Sequence, residues 1–265
     1  MTGKEVAKRL SRRKRDAMNR SVGELRGDYG FDELRWPLLL GLLGLLWLML
    51  GLMSFSVFAL PILGVICFVC SAFFLFSAAS YVYTTRWGKF QVGADILHQL
   101  GLRGDEQLLD LGCGRGAVLL MAARLLPRGK AIGIDVWKAA EQSGNALSTT
   151  QRNAELEGVA DRVALLTADM RQLPFSAGSF DLVVSSMAIH NIGDPEGRRQ
   201  AIEEAVRVLK PGGRLAIVDF RETLHYGEWL RELGMDEVSH RSLGWRFWYI
   251  GPWTAPRLVM AQKSA

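Results

Sequence analysis

The apolar positions of the chain follow two different patterns. Residues 37–83 carry no charged side chain over 47 consecutive positions, whereas residues beyond 105 alternate short apolar runs with polar segments of helical period. One helix of 47 residues would be about 70 Å long, roughly twice the ~30 Å hydrocarbon core of a bilayer. The first pattern therefore predicts two antiparallel membrane-spanning helices, and the second predicts alternating strands and helices.

The two predicted spans occupy residues 37–53 and 60–80. Ser54 and Ser56 interrupt the apolar run between them, and Pro61 suits the first turn of a second helix. Small residues recur at intervals of seven along both spans, which lets helices approach closely in lipid, and the hairpin could also mediate oligomerisation. A hairpin buried in a soluble core is the alternative. A cleaved signal peptide is not expected, because the apolar region starts late and runs too long.

The distribution of charge sets the expected orientation. Residues 1–20 hold eight basic and two acidic side chains, and the whole chain has a formal net charge of +5. Because positive flanks stay on the cytoplasmic side, we expect an integral membrane protein with both termini in the cytoplasm. The basic arm is expected to bind membrane lipid with anionic headgroups. RNA is the alternative partner of the arm, disfavoured because no interleaved aromatic residues or RNA-binding module accompany it.

A glycine-rich turn follows the first short apolar run of the second part. Asp110 lies near the end of this run, and Gly112, Gly114 and Gly116 follow at alternate positions before a helical segment. Since glycine has no Cβ, the backbone there can turn sharply and approach a bound nucleoside closely. Nicotinamide and flavin sites use related turns, so the turn alone does not define the ligand.

Two further apolar runs lead to a carboxylate. Asp135 ends residues 131–135, 19 residues after Gly116, where a carboxylate can accept hydrogen bonds from ribose hydroxyls. Asp169 follows residues 163–168 and is placed to accept a bond from an exocyclic amine of a base. One such acid could merely cap a helix or face water, but three beside a glycine turn favour a binding site. A dehydrogenase would favour Gly-x-Gly-x-x-Gly and would not need Asp169.

These motifs resemble class I S-adenosylmethionine-dependent methyltransferases over residues 97–263. Leu-Pro-Phe at 173–175, Phe-Asp-Leu-Val at 180–183 and Leu-Lys-Pro-Gly-Gly at 209–213 resemble the small-molecule branch, which includes ubiquinone/menaquinone, sterol and arsenite methyltransferases. The resemblance implies an α/β fold with a Rossmann-like seven-stranded sheet and an antiparallel last strand, here preceded by the all-α two-helix hairpin. It also implies S-adenosyl-L-methionine as cofactor and S-adenosyl-L-homocysteine as its product.

The resemblance assigns the cofactor site residue by residue. Asp110 and the glycines would hold the amino-acid end, Asp135 the ribose, Asp169 the adenine amine, and the backbone at Met170 the ring nitrogen. The implied cofactor-binding residues are Asp110, Gly112, Cys113, Gly114, Gly116, Asp135, Val136, Asp169, Met170 and Ser186. No metal is expected, since Cys67 and Cys70 have no histidine or acid nearby in the sequence.

His190 is the candidate catalytic residue. It lies just past the fourth strand, predicted at residues 179–186, where the resemblance places the transferred methyl group. An unperturbed imidazole titrates at about pH 6.5, which suits a general base. The alternative is that His190 only shapes the pocket or donates a hydrogen bond. His225 and Tyr226, after the fifth strand, could also reach the substrate.

Two absences narrow the expected substrate. The end of the fourth strand and the residues after it read Ser-Ser-Met-Ala at 185–188, without the Asn/Asp-Pro-Pro-aromatic motif of enzymes that methylate nucleic-acid bases. Nucleic acid is therefore disfavoured, and a small hydrophobic or amphipathic acceptor is expected. The segment between the fifth strand and the last hairpin, residues 221–239, is short, whereas quinone-type relatives usually have an inserted lid there. Residues 84–104 are the candidate substitute lid.

The sequence therefore predicts a membrane-anchored methyltransferase in four parts. These are a basic cytoplasmic arm at 1–35, a transmembrane hairpin at 36–83, a juxtamembrane segment at 84–104 and a catalytic domain at 105–265. An RNA or protein methyltransferase at the membrane is one alternative. A catalytically inactive membrane scaffold is the other, disfavoured because the glycines and strand-end acids are intact.

Overall fold

A computed structural model describes residues 25–138, 142, 144–220 and 222–265. The basic residues of the predicted arm, at 1–20, lie outside the described residues. The described α-helices are α1 Arg35–Ser56, α2 Pro61–Tyr83, α3 Lys89–Gln99, α4 Ala117–Arg124, α5 Leu147–Leu156, α6 Pro195–Val208 and α7 Thr223–Glu232. The described strands are β1 Gln107–Leu111, β2 Lys130–Asp135, β3 Val163–Thr167, β4 Phe180–Ser186, β5 Leu209–Asp219, β6 Met235–Ser242 and β7 Arg257–Lys263.

The described residues form two compact units. The helical unit comprises residues 31–89 and 244–255, and the sheet unit comprises residues 25–30, 90–243 and 256–265. The four-part functional division expected from the sequence remains a prediction.

Helices α1 and α2 form an antiparallel pair, and each ends three residues later than predicted. Small residues allow the two helices to approach closely. A methyl group at Gly64 would lie 2.2 Å from the Phe55 ring, and one at Gly44 would lie 2.7 Å from Leu75. The buried hydroxyl of Ser71 donates to the carbonyl of Gly44 at 2.8 Å. Close packing at small residues is therefore a property of this hairpin.

The outward faces of the hairpin are apolar. Both helices are long and apolar enough to cross a membrane, by length and composition. Large side chains on both helices are exposed, among them Leu42, Ile62 and Val69. An exposed apolar surface of this extent is unfavourable in water.

The sheet unit contains one seven-stranded sheet in the order β3-β2-β1-β4-β5-β7-β6. Strands β1 to β5 pair in parallel, and β7 runs antiparallel to both β5 and β6. Continuous apolar runs form the central strands because helices cover both faces of a parallel sheet; Leu109, Val183 and Leu215 are fully buried. The predicted fold class is confirmed, including the antiparallel last strand.

Strand β5 includes the Lys-Pro-Gly-Gly segment at residues 210–213. Leu209 pairs with Phe180, the register then shifts, and regular pairing resumes between Arg214 and Leu182. Gly212 has φ +73° within this irregular stretch, so the strand has a bulge there.

Candidate active site

The glycine turn after β1 has a left-handed backbone at each of its three glycines. Gly112, Gly114 and Gly116 have φ of +70°, +51° and +86°, and Gly116 is the N-cap of α4. Any other residue would be strained in this conformation. A methyl group at Gly112 would also lie 2.3 Å from Cβ of Ala188, which follows β4. Backbone geometry and close packing therefore both require glycine at position 112.

Side chains from β2 and α5 hold this turn. Oδ2 of Asp135 accepts the N–H of Gly114 at 2.8 Å, and the hydroxyl of Thr150 donates to the Gly114 carbonyl at 2.7 Å. Nδ2 of Asn153 donates to the Arg115 carbonyl at 3.0 Å. The shape of the turn is thus set by protein contacts on two sides.

Asp135 is buried and accepts two further bonds through Oδ1. The N–H of Trp137 donates at 2.6 Å and Nδ2 of Asn145 at 3.3 Å. Trp137 has φ +58°, an uncommon conformation for a bulky residue that often marks a functional site. Oδ1 of Asn145 is buried and has no hydrogen-bond partner among the described residues. A buried acceptor of this kind is normally satisfied, and a ligand hydroxyl would satisfy it.

Asp110 and Cys113 lie in a low-dielectric environment. Burial, followed by the charge of Asp135, raises the pKa of Asp110 to about 7. Burial, followed by the charges of Asp110 and Asp135, raises the pKa of the Cys113 thiol well above its usual value. Cys113 is therefore a neutral thiol at neutral pH. A cationic ligand group would favour the ionised form of Asp110.

Asp169 has a partner that the sequence did not indicate. The guanidinium of Arg171 donates to both carboxylate oxygens of Asp169, from Nη2 to Oδ2 at 2.6 Å and from Nε to Oδ1 at 3.1 Å. This bond lowers the pKa of Asp169. The neighbouring Met170 is half-buried, and its Cε lies 3.2 Å from the position of a methyl group at Gly112. The loop after β3 therefore borders the glycine turn.

The remaining implied cofactor residues lie at the same sheet edge. Val136 is exposed directly after β2, and Ser186 is the half-buried last residue of β4. Beside it, the hydroxyl of Ser185 donates to the Leu111 carbonyl at 3.0 Å. Because β1 to β4 are parallel, the residues that follow them meet at the carboxyl edge of the sheet. The structure thus brings the predicted cofactor residues together.

His190 forms a close pair with a buried carboxylate. Its ring Nδ1 lies 2.5 Å from Oδ1 of Asp219, and its backbone N–H donates to Oδ2 of the same carboxylate at 3.0 Å. Asp219 is the last residue of β5 and is fully buried; it also accepts the N–H of Phe220 at 2.8 Å. The His190 ring packs edge-on against Phe220. These contacts fix the orientation of the imidazole.

The two other candidates from α7 differ in their surroundings. Tyr226 is fully buried, and its hydroxyl donates to Oδ2 of Asp219 at 3.5 Å. Burial and the charge of Asp219 raise the pKa of Tyr226. His225 is largely exposed and pairs with Glu222 at 3.0 Å. Tyr226 therefore belongs to the His190–Asp219 cluster, whereas His225 pairs elsewhere.

A segment that sequence reasoning missed lies against the glycine turn. We call residues 25–30 the N-terminal strap. The Asp28 carboxylate pairs with Arg115 at 2.6 Å, and the Asp28 carbonyl accepts from Nε of Arg115 and from Nδ2 of Asn153, both at 2.9 Å. Asn153 thus bridges the strap and the carbonyl of Arg115 in the turn.

Glu157, at the end of α5, anchors the same strap. Its Oε1 accepts the N–H groups of Arg26 and Gly27 at 2.7 and 2.8 Å and the Tyr29 hydroxyl at 2.9 Å. Its Oε2 pairs with Arg124. Burial and the charge of Glu157 raise the pKa of Tyr29. One buried carboxylate therefore joins the strap to α4 and α5.

Metal ligation has no visible basis in the part of the chain that the structure describes. No group of three or more His, Cys, Asp or Glu side chains there is placed to hold a metal ion.

The sheet order, the left-handed glycine turn and the acids at successive strand ends define the class I S-adenosylmethionine-dependent methyltransferase fold. Residues 109–217 match the family of methyltransferase domains. This part of the chain is therefore similar to methyltransferase domains.

Two relatives are similar to this chain in sequence, and a solved structure is similar to it in fold. The chain is 35% identical over 122 residues to the demethylmenaquinone methyltransferase of Lactiplantibacillus plantarum, covering 46% of this chain and 48% of that protein. It is 36% identical over 123 residues to the 27-O-demethylrifamycin SV methyltransferase of Amycolatopsis mediterranei, covering 46% of this chain and 41% of that protein. A geranyl diphosphate methyltransferase solved with S-adenosylmethionine has a TM-score of 0.53 at 17% identity, covering 66% of this chain and 85% of that one.

The matched region spans less than half the length of these two relatives. The solved structure, at 17% identity, shows likeness of fold alone. The acceptor and the chemistry of transfer must therefore be argued from the site.

Proposed function

We propose that this protein is a membrane-anchored methyltransferase that methylates a small hydrophobic or amphipathic acceptor, with His190 as the general base. The observation that carries the proposal is the pairing of His190 with the buried Asp219 at the sheet edge where the cofactor residues meet. A buried carboxylate in contact with both the ring and the backbone N–H of His190 orients the imidazole, as a general base requires.

The residues present fit the cofactor. Asp110 would hold its cationic amino-acid end, Asp135 its ribose, and Asp169 with Met170 its adenine. Two observations support this fit: the left-handed glycines leave the turn without side chains, and the unpartnered Oδ1 of Asn145 lies next to Asp135. When bound, S-adenosylmethionine supplies an electrophilic methyl group on a sulfonium centre.

His190 would accept the proton that the acceptor loses. An imidazole that donates from Nδ1 to Asp219 keeps its lone pair on Nε2, which would then be the basic nitrogen. Asp219 acts as a positioning residue, since it fixes the tautomer and stabilises the imidazolium. A positioned base contributes about 10²- to 10⁴-fold to rate. This chemistry suits a hydroxyl, phenol or activated carbon acceptor, each of which must lose a proton.

The apolar hairpin supports the membrane and the choice of acceptor. Helices α1 and α2 expose apolar side chains along their length, and the basic residues at 1–20 would keep the flanks and the methyltransferase domain in the cytoplasm. A membrane location gives access to lipophilic acceptors without passage through water. The two named relatives are a demethylmenaquinone and a 27-O-demethylrifamycin SV methyltransferase, which supports a small organic acceptor.

Calorimetric titration with S-adenosylhomocysteine, followed by a transfer assay, tests the proposal. We expect detergent-purified protein to bind, and Asp135→Ala to lose the binding because the ribose contact and the turn both depend on that carboxylate. Tritiated methyl groups should then pass to a membrane lipid extract and partition into organic solvent.

Other results would support other functions. Label in protease- or nuclease-sensitive material would favour the RNA or protein alternative. Cofactor binding without methyl transfer to any membrane fraction would favour the inactive scaffold. Absence of cofactor binding would contradict the proposed methyltransferase activity.

A further inference from the structure

The segment between β6 and β7 belongs to the helical unit. We call residues 244–255 the β6–β7 loop. Five of its twelve residues are aromatic, and no charged residue occurs between Arg246 and Arg257. The loop therefore has the composition of a membrane-interface segment, although two strands of the sheet flank it in the sequence.

Aromatic pairs join this loop to α2. Trp245 stacks on Tyr83 at 5.4 Å between ring centroids, and Trp253 stacks on Phe73 at 5.6 Å. Ten residues separate Tyr83 from Phe73, which is about 15 Å along a helix. The β6–β7 loop therefore runs along α2 from its C-terminal end toward its middle.

This contact reaches the depth of the bilayer core if α2 spans the membrane. A span needs about 20 residues, and counting from Pro61, the first residue of α2, places its end near Ser80. Phe73 lies about 10 Å inside that end. Trp253, stacked on Phe73, would lie at hydrocarbon depth.

Several polar backbone groups of the loop are hydrogen-bonded to protein side chains rather than left for water. The hydroxyls of Ser80 and Thr84 both donate to the carbonyl of Trp248, at 2.5 and 2.9 Å. The hydroxyl of Thr254 accepts the N–H of Ile250 and donates to the carbonyl of Gly251, each at 3.2 Å. Non-helical backbone at membrane depth is tolerated only where protein groups satisfy it. Contacts of this kind meet that requirement.

The outer edge of the loop is apolar and open. Trp253 and Trp245 are 63% and 61% exposed, whereas Phe247 and Tyr249 are buried. The carbonyl of Arg246 approaches Gly88 so closely that a methyl group there would lie 1.9 Å from it. The loop is thus seated tightly on one side and presents two tryptophans on the other.

We propose that the β6–β7 loop is a re-entrant membrane element that inserts Trp253 into the lipid bilayer beside α2, with Trp245 at the headgroup level. Its partner is a phospholipid bilayer. The inference rests on the proposed hairpin and adds a third point of insertion, contributed from between two strands of the sheet. It continues the apolar exterior of α1 and α2, which is why lipid fits this edge better than a soluble partner.

Nitroxide depth measurements test the proposal in the full chain. Cysteine is introduced by Trp253→Cys after replacement of Cys67, Cys70 and Cys113 by alanine, and the protein is placed in vesicles of phosphatidylcholine and phosphatidylglycerol. Val69→Cys on α2 and Leu224→Cys on α7 are matched references, since both side chains are 64–65% exposed. We expect position 253 to resemble position 69, with collisions with oxygen severalfold above those with an aqueous nickel chelate. Position 224 should show the opposite preference.

The references separate failure of this inference from failure of the hairpin. A lipid-like signal at position 69 with a water-like signal at 253 would overturn the loop proposal alone. Water-like signals at both positions would overturn the hairpin and the loop together. Broadening that depends on protein density in the membrane would show a second copy at this edge, and would also overturn the assignment to lipid.

If the protein without its natural cysteines does not fold, a second measurement tests the proposal in the chain that retains them. Benzoylphenylalanine replaces Trp253 in the chain with its natural cysteines, and irradiation in the same vesicles should give a phospholipid adduct detectable by mass spectrometry. The same group at position 69 should also give an adduct, and at position 224 none. An adduct at position 69 without one at 253 would overturn the proposal.

Discussion

Nδ1 of His190 lies 2.5 Å from Oδ1 of Asp219, a fully buried carboxylate at the end of the neighbouring strand. Two strands supply the pair: His190 follows β4 and Asp219 ends β5. The register of β4 against β5, in which Ser186 faces Val218, brings the two residues to the same edge. The parallel pairing of the sheet thus assembles the proposed base.

Removal of either partner should lower the rate of transfer more than the affinity for ligands. We expect His190→Gln to lower kcat by about a hundredfold or more, because no group remains to take the acceptor proton. Asp219→Asn should lower kcat by about tenfold to a hundredfold, because the amide can donate to Nδ1 and favour the wrong tautomer. Steady-state kinetics measure both effects.

The control for this pair is His225→Gln, which changes an exposed histidine that pairs with Glu222 and should leave kcat unchanged. S-adenosylhomocysteine affinity of the Asp219→Asn protein reports whether the fold is intact. A His190→Gln enzyme with normal kcat and an unchanged pH profile would rule out the proposed base.

Cofactor affinity should depend on pH through Asp110. Burial raises the pKa of this carboxyl to about 7, and the cationic end of the cofactor should favour its ionised form. The apparent affinity for S-adenosylhomocysteine should therefore rise about tenfold between about pH 6 and 8, with release of a proton. Calorimetry in buffers of different ionisation enthalpy measures the affinity and the number of protons released. Asp110→Asn should remove both the pH dependence of the affinity and the proton release.

The same shift affects stability in the opposite direction. Between about pH 4 and 7 the folded protein holds a proton on Asp110 that the unfolded chain has released. The contribution of Asp110 to the free energy of unfolding is fully present below about pH 4 and is lost as the pH rises through about 7. Without ligand, replacement of Asp110 by Asn should therefore raise the relative stability at pH 8 compared with pH 5, as denaturant titration would show.

The sequence was informative about this site where local chemistry decides the structure. Alternating glycines demand a left-handed turn, and a short apolar run that ends in an acid places that acid at a strand end. Both features depend on neighbours along the chain. The seven-stranded fold and the cofactor class were predicted because these motifs resemble those of class I methyltransferases.

Contacts between distant segments could not be read in the same way. Asp219 follows a short apolar run in the sequence, but its pairing with His190 depends on the order of β4 and β5 in the sheet. The anchoring of the strap by Glu157 joins residues 131 positions apart. The stacking of Trp245 and Trp253 on α2 likewise joins segments that are far apart in the chain.

Asn145 should separate affinity from stability. Its Oδ1 is buried and has no hydrogen-bond partner among the described residues, so Asn145→Ala removes an unfavourable group while it removes one donor to Asp135. We expect the affinity for S-adenosylhomocysteine to fall about tenfold, because the loss of one hydrogen bond costs about 1.5 kcal/mol of binding free energy. The free energy of unfolding should change little. Thr149→Ala, a change at an exposed hydroxyl that donates to the Gly144 carbonyl, should leave affinity unchanged. Equal losses of affinity for the two variants would contradict this role.

Alanine substitutions at two left-handed glycines separate the cost of backbone strain from the cost of a steric clash. Gly112 and Gly178 have nearly the same φ, +70° and +67°, but only Gly112 has neighbours that a methyl group would meet. Alanine at position 178 should cost about 1 kcal/mol through the left-handed backbone alone. Alanine at position 112 should cost more, because of Ala188, and should abolish cofactor binding. Thermal unfolding and calorimetry of both variants test this difference.

The N-terminal strap should detach when its buried carboxylate is removed. Glu157 accepts the part-buried N–H groups of Arg26 and Gly27 and pairs with Arg124, so Glu157→Ala removes the acceptor of both donors and one ion-pair partner of Arg124. We expect a loss of about 3–5 kcal/mol in the free energy of unfolding. Tryptic cleavage after Arg26, detected by mass spectrometry under native conditions, should become faster. Glu155→Ala, two residues earlier and exposed on α5, is the matched control. Equal cleavage rates after Arg26 in the two variants would show that the strap is held by other contacts.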